Sequence, residues 1–293
     1  MILEIIPKAL YSRPNISPLL IDGRSSVLHK TLGGDLVGKE IYISTPLIVY
    51  ILKGKQIIER SDLAATTIPE NHLLFLPKDL YLVSDYVRDG WGEFEAILFF
   101  LDERVIEKYL QSSAAHYDQP IRSSTQVLFT TPATPQILRF IDALKQVYGD
   151  GHQSHDLLEL KLLELLHLLA IQDGKRSFLT ALTKFNKPNG KRDIRSFMEK
   201  HYTSNLKLED YAQLTGRSLS TFIRDFKQAY KATPNQWIIE KRLEKARELL
   251  TAKNLSVREV ASEVGYDNVS YFIRAFKKKY GVTPKQEQSL GIA

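Results

Sequence analysis

SLSTFIRDFKQAYKATP, Ser218–Pro234, returns fifty residues later as NVSYFIRAFKKKYGVTP, Asn268–Pro284. From Ser220 to Pro234, nine of fifteen positions are identical to those at Ser270–Pro284. A repeat of this length means that one supersecondary unit is built twice. In the first copy Leu219, Phe222, Ile223, Phe226 and Tyr230 recur at helical spacing and form one apolar stripe; Val269, Phe272, Ile273, Phe276 and Tyr280 do the same in the second. At 100° per residue the opposite faces carry Ser220, Thr221, Arg224, Lys227 and Gln228, and Ser270, Tyr271, Arg274, Lys277 and Lys278.

Each repeated helix has a short amphipathic partner upstream, LEDYAQLTG ending at Gly216 and VREVASEVG ending at Gly265. Both partners hold an alanine, Ala212 or Ala261, where a second helix can cross closely, and both end in a glycine suited to terminating a helix. Short helix, glycine turn, second helix is the helix-turn-helix pattern, whose second helix enters the major groove of DNA. A helical repeat packed on itself, or a hairpin that docks a protein, has the same apolar stripe. The recurrence of hydroxyl, arginine and lysine on the polar face favours DNA.

Charge agrees. Residues 187–293 hold 21 Lys and Arg against 12 Asp and Glu, a net of +9, whereas residues 1–186 are at −3. A basic third beside a slightly acidic remainder is the footprint of a nucleic-acid-binding module on a separate domain. The chain has no cysteine, which excludes disulfides, thiol catalysis and cysteine-ligated zinc and fits a reducing cytosol. No signal peptide and no apolar run of ~18 residues is read, so no membrane span is expected.

Two helix-turn-helix units joined by one long helix, each closing on F…Y…TP, resemble the DNA-binding domain of the AraC/XylS family of bacterial transcription regulators. The likeness covers about Asp193–Pro284, and the second copy is the closer to the family pattern. The first copy departs from it at Lys231, where the family has glycine, and at Lys207, where a capping residue is usual. Asp225 is a further obstacle beside phosphates. The resemblance implies a cytoplasmic, bacterial, sequence-specific regulator, an activator rather than a repressor, that meets RNA polymerase. Family-like DNA-binding domains on repair proteins need a nucleophilic cysteine, which is missing.

Residues 1–173 read as a regulatory or dimerisation domain. Up to about residue 103 short strands alternate with turns, giving an antiparallel barrel or sandwich. LIVYIL (47–52) and QIIE (56–59) flank Lys53-Gly54-Lys55, a hairpin signal; Tyr81–Val87 and Phe94–Phe100 flank a second turn at Asp89-Gly90. IPENHLLFLPKDLYLVSD resembles the turn segment of cupin-like barrels, which in AraC-type regulators hold an effector or meet a partner.

Helices are expected at 135–148, with Ile137, Phe140, Ile141, Leu144 and Val147 or Tyr148 inward, and at 155–171, HDLLELKLLELLHLLAI. The second is apolar nearly all round and must be buried on more than one side, by the barrel alone or also by a second subunit in a homodimer. Together with the strand region it is loosely similar to AraC-type regulators of secretion systems, some of which are governed by partner proteins. Residues 174–192 are expected to be a linker with one short apolar turn, and residues 193–293 the DNA-binding domain. In that domain Asp193–Tyr202 opens with a helix, and capping boxes at Thr233–Gln236 and Ser256–Glu259 start a long joining helix and the second unit.

His29 and His72 are too few for a cupin metal centre, and His152 and His155 sit in a polar loop where Ser154 caps a helix, so neither metal, cofactor nor catalytic role is expected. Arg224 and Arg274 are candidates for base or phosphate contacts, since arginine is the commonest specific partner of guanine. Ser220, Thr221, Ser270 and Tyr271 come next, while Lys227, Lys277 and Lys278 lie later in the helices, where phosphates are met; Gln228 on the same polar face is a further DNA-binding candidate. The competing role for Arg224 is an ion pair with Glu209 or Asp210. An effector, small molecule or protein, acts on the first domain. The alternative reading is an effector-binding or enzymatic cupin-like protein whose helices dock a partner.

Overall fold

The computed structural model describes residues 3–23, 25–60, 63–88, 92–114, 128–149, 155–173, 177–185, 191–252 and 255–290. The chain divides into two compact units, one of Glu4–Pro188 and one of Asn189–Ala293 with the first three residues.

The first unit holds eleven strands among the described residues: β1 (Glu4–Ile6), β2 (Ile16–Asp22), β3 (Ser25–Leu32), β4 (Leu36–Ile43), β5 (Leu47–Lys53), β6 (Lys55–Arg60), β7 (Leu63–Ile68), β8 (His72–Leu76), β9 (Leu80–Tyr86), β10 (Phe94–Phe100) and β11 (Phe129–Pro132). They make a five-stranded sheet, β1-β4-β9-β6-β7, and a six-stranded sheet, β11-β8-β5-β10-β3-β2. The sheets do not close on each other, so of barrel and sandwich the chain takes the sandwich. Pairing is antiparallel except that β1 runs parallel to β4.

Side-chain alternation splits the apolar runs between two cores. Leu47, Val49 and Ile51 of β5 and Leu98 and Phe100 of β10 face the other sheet, meeting Ile43, Ile58 and Val83. Ile48, Tyr50, Ile97 and Phe99 point the opposite way, onto helices. Strands buried on both faces read as continuous apolar runs, which is why LIVYIL and EAILFF lack a polar side.

The hairpin expected at Lys53-Gly54-Lys55 is not one. β5 lies in the six-stranded sheet and β6 in the five-stranded one, so the corner carries the chain across the sandwich. Gly54 has φ +82°, and a Cβ there would stand 2.3 Å from the Tyr86 carbonyl oxygen. β9 and β10 likewise sit in different sheets; residues 89–91 of the turn expected between them lie outside the described residues.

Four helices cover the six-stranded sheet: α1 (Glu103–Ala114), α2 (Pro135–Tyr148), α3 (His155–Gln172) and α4 (Ser177–Phe185). α2 and α3 were expected; Tyr148 is buried and Val147 exposed. α1 was missed, although Val105, Ile106 and Tyr109 give it a buried face. α4 overturns part of the expected linker. Phe178 and Leu182 are fully buried, and Phe178 packs edge-on to Phe75, 6.2 Å between ring centroids. A helix with that much apolar surface is held by the core whatever its flanks. Residues 186–190 and Ser154, the expected cap of α3, lie outside the described residues.

The second unit is all helical: α5 (Ile194–His201), α6 (Leu208–Leu214), α7 (Leu219–Tyr230), α8 (Pro234–Ala252), α9 (Val257–Glu263), α10 (Val269–Tyr280) and α11 (Pro284–Leu290). Asp193 caps α5 by accepting from the Ser196 amide at 2.7 Å, and Ser256 and Glu259 form the capping box of α9. α6 starts at Lys207 without a side-chain cap; the Asp210 carboxylate instead accepts from the Lys207 amide at 2.8 Å.

Candidate nucleic-acid interface

Two helix-turn-helix units are built by the same packing. Ala212 and Ala261 are buried where α6 and α9 cross their partners. Gly216 and Gly265 turn the chain with φ +70° and +87°. Ser218 Oγ accepts from the Thr221 amide to start α7, and Asn268 Oδ1 accepts from the Tyr271 amide to start α10. The repeated stripe becomes the same aromatic ladder twice. Phe222–Phe226 and Phe226–Tyr230 centroids lie 5.7 and 4.6 Å apart; Phe272–Phe276 and Phe276–Tyr280 lie 5.8 and 4.7 Å apart. Burial of one face leaves the other to solvent.

That other face carries the sequence candidates. Ser220, Arg224, Lys227 and Gln228 on α7 and Ser270, Tyr271, Arg274, Lys277 and Lys278 on α10 are exposed, and Thr221 is half-buried, its hydroxyl 2.9 Å from Ser218 Oγ. Each helix therefore presents one arginine among hydroxyls and cations. Between α8 and α10 lies a cleft of about 630 Å³, with Ile239, Leu243 and Ala275 on its floor and Tyr271, Arg274 and Lys278 on its rim.

The two arginines differ in their partners. Arg224 does not reach Glu209 or Asp210; its Nη2 donates to Asp225 Oδ1 at 3.2 Å. Asp225 is no isolated negative charge, because Arg217 Nε donates to Oδ2 at 3.1 Å and Lys191 stands 4.0 Å away. The Arg217 hydrogen bond, reinforced by Arg224, holds the Asp225 carboxyl below the usual carboxylate range. Arg217 also donates to the backbone carbonyls of Arg192 and Thr215, tying the turn to the start of α5. In α10 the place of Asp225 is taken by Ala275, and Arg274 has no ion-pair partner among the described residues. Arg217 escaped the sequence reading, although its position in the turn, eight residues before an aspartate, was the available signal.

The first unit has a different character. Between its sheets is a cavity of about 50 Å³, lined by Leu47, Val49, Ile58, Val83 and Leu98 and by the buried ion pair of Lys30 with Asp85. Gln56 Nε2 donates to Asp85 Oδ1 at 2.6 Å. On the helix-facing side, burial would raise the Glu95 pKa, but hydrogen bonds from Lys145, Lys53 and His29 hold it down at about 2. His72 Nδ1 lies 2.9 Å from the Glu70 carbonyl oxygen, and His155 pairs with Asp22. His152 lies outside the described residues. Among the described residues no three metal-ligating side chains come together, and no helix is long and apolar enough to cross a membrane.

Comparison with known proteins agrees with both halves. Residues 211–289 match the family described as "Helix-turn-helix domain", and residues 46–181 match "ExsA N-terminal regulatory domain". The C-terminal helix-turn-helix domain is of the AraC type. It is 28% identical over 244 residues to the HTH-type transcriptional regulator ExsA of Pseudomonas aeruginosa, covering 82% of this chain and 85% of the relative. It is 29% identical over 249 residues to the thermoregulatory protein LcrF of Yersinia pestis, 84% and 90% covered, and 28% identical over the same length to the virulence regulon transcriptional activator VirF of Yersinia enterocolitica, with the same coverage. A solved structure of apo ToxT K231A from Vibrio cholerae aligns over 91% of this chain and 97% of its own, at 14% identity and a TM-score of 0.41. The chain is a DNA-binding transcription regulator with AraC-type helix-turn-helix units and a regulatory domain at the N-terminus.

Proposed function

We propose that this AraC-type regulator activates transcription in the bacterial cytoplasm, with α7 and α10 in successive major grooves and a protein partner acting on the first unit. The twice-built reading face carries this proposal: two equivalent helices, each with an exposed arginine flanked by hydroxyls and lysines. Successive major grooves lie about 34 Å apart, one helical turn, so one subunit covers an asymmetric site. Arg224 and Arg274 are the base or phosphate contacts, Ser220, Thr221, Ser270 and Tyr271 their neighbours on the groove floor, and Lys227, Gln228, Lys277 and Lys278 the phosphate contacts. Activation, and with it contact to RNA polymerase, is supported by a relative named as an activator.

Control by a protein is supported by the small cavity between the sheets, about 50 Å³ against the ~300–1,000 Å³ of ordinary ligand pockets; an open cleft of about 470 Å³ beside Tyr11, Ser44 and Pro46 supports a small ligand as the second reading. Homodimerisation through α3 is supported by Leu157, Leu160 and Ile171, which are 40%, 61% and 82% exposed while Leu158, Leu162, Leu165, Leu166 and Leu169 fill the core.

Selection of a site from random duplexes, followed by fluorescence anisotropy with the full chain, tests the reading. Binding must weaken steeply with salt, and Arg224→Ala with Arg274→Ala must abolish the preference for the selected site. Salt-insensitive binding, or a double variant that behaves as the parent, sinks it. Light scattering at micromolar concentration tests the dimer: a monomer there refutes it.

A further inference from the structure

Arg242 lies in the middle of α8 and faces neither reading surface. Its guanidinium makes three hydrogen bonds to backbone carbonyls, each 2.7 Å long. Nε donates to Tyr202, Nη2 to Ser204 and Nη1 to Gly265. The first two carbonyls belong to the turn between α5 and α6, which supports the first helix-turn-helix unit. The third belongs to the turn between α9 and α10, in the second helix-turn-helix unit. One side chain thus joins both helix-turn-helix units from the helix that connects them.

The 201–205 turn is a meeting point for further contacts. The Tyr211 hydroxyl, from α6, donates to the carbonyls of His201 and Ser204 at 3.0 and 3.2 Å. Asn205 Nδ2 donates to Asp267 Oδ2 at 2.6 Å, again reaching the second unit's turn. Gly265 is pressed against this turn so closely that a Cβ would stand 2.3 Å from the Thr203 carbonyl oxygen and 3.0 Å from Arg242 Cζ. The Arg242 guanidinium also lies over the Tyr266 ring, 5.8 Å from its centroid. A planar, always charged fork with fixed donor directions suits three divergent carbonyls; a lysine ammonium cannot address all three with the same geometry.

We infer that Arg242 is a positioning residue that locks the mutual orientation of α7 and α10, so that the protein measures the number of base pairs between its two half-sites. The inference rests on the two-groove reading above. α10 packs directly on α8, where Phe272 and Phe276 share a core with Leu243, Ala246 and Leu249. To that packing the Arg242 and Asn205 links add a fixed angle between the α5–α6 and α9–α10 turns, and hence between α7 and α10. One inserted base pair rotates the far half-site by roughly 34° and moves it by ~3.4 Å along the axis. A rigid pair of helices rejects that displacement; a loosely joined pair absorbs it.

The test uses the full chain, a selected site, the same site with one base pair inserted between its halves, and each half-site alone, read by anisotropy. Arg242→Gln should lower affinity for the native spacing by about tenfold or more, as expected when charge-assisted hydrogen bonds are lost. It should leave half-site affinity within about twofold of the parent and shrink the preference for native over inserted spacing by about tenfold. Arg242→Lys should restore little of that preference. Asn205→Ala removes one cross-link while keeping Arg242, and should move the preference in the same direction by a smaller factor, which keeps the test open if the Arg242 variants fold poorly. Parent-like spacing preference in both Arg242→Gln and Asn205→Ala overturns the clamp. So does an equal loss at native, inserted and half-sites, which is the mark of a general destabilisation. Equal parental affinity for a half-site and for the whole site refutes the two-groove reading itself.

Discussion

The two helix-turn-helix units share a ladder of aromatics and differ in what surrounds it. In the first, Trp237 at the start of α8 packs on Tyr230 and Phe226, with centroids 4.6 and 5.7 Å apart. Fifty residues on, the equivalent place in α11 is Glu287, which is buried and accepts from Arg247 Nε at 2.6 Å, while that arginine lies over Tyr280 at 4.9 Å. An indole in one copy is replaced by an ion pair stacked on a tyrosine in the other. The reading faces diverge too: Arg224 is engaged by Asp225, whereas Arg274 has no ion-pair partner among the described residues. Duplicated packing keeps two helices presentable, and substitution around it lets each read differently.

The largest effect should come from the shared ladder. Phe226→Ala and Phe276→Ala each empty a fully buried site and should cost about 3–5 kcal/mol in denaturant unfolding. Phe226→Ala should cost more, because Trp237 also loses its partner; a larger loss at Phe276 would break the packing comparison. Next is DNA affinity. Arg274→Ala should cost about 1–3 kcal/mol at a selected site, and Arg224→Ala less, since Asp225 competes with DNA for that side chain. Equal losses would mean that the Asp225 pair dissolves on binding.

Asp225→Ala sharpens the same contrast. It releases Arg224 for a phosphate, and the log–log salt slope of non-specific binding should steepen by roughly 0.9, one phosphate equivalent. The smallest effect concerns the ends of the reading helices. Lys231 holds φ +55° where the second unit has Gly281 at +78°. Lys231→Gly should stabilise by about 0.5–1 kcal/mol in thermal or denaturant unfolding, relief of left-handed strain outweighing the entropy of glycine in the unfolded chain. A destabilised variant would show that Lys231 gains more from its surroundings than its backbone loses.

Much of the second unit was legible because its information is periodic. Phe222, Phe226 and Tyr230, repeated at 272, 276 and 280, specify helix, buried face and reading face together. The first unit was harder. A glycine turn such as Lys53-Gly54-Lys55 has the same local chemistry whether the chain pairs with itself or crosses to another sheet; only the carbonyl of Tyr86, 32 residues away, decides that nothing larger fits. SFLTALTKF looked like linker because its flanks are Gly, Lys and Asn, yet a hydrophobic face finds the core regardless of flanking composition.

By itself the sequence determined what each segment becomes when its own pattern suffices: the paired helices, the capping box at Ser256, the basic third, and the apolar runs that become β5 and β10. Only the tertiary structure decided which strands share a sheet, that Asp225 is held by Arg217, and that Arg242 binds three carbonyls. The physical reason is range. Periodicity and capping act within a few residues and leave their mark on the letters. A backbone carbonyl is the same group at every position, so a contact made to one leaves no letter to read.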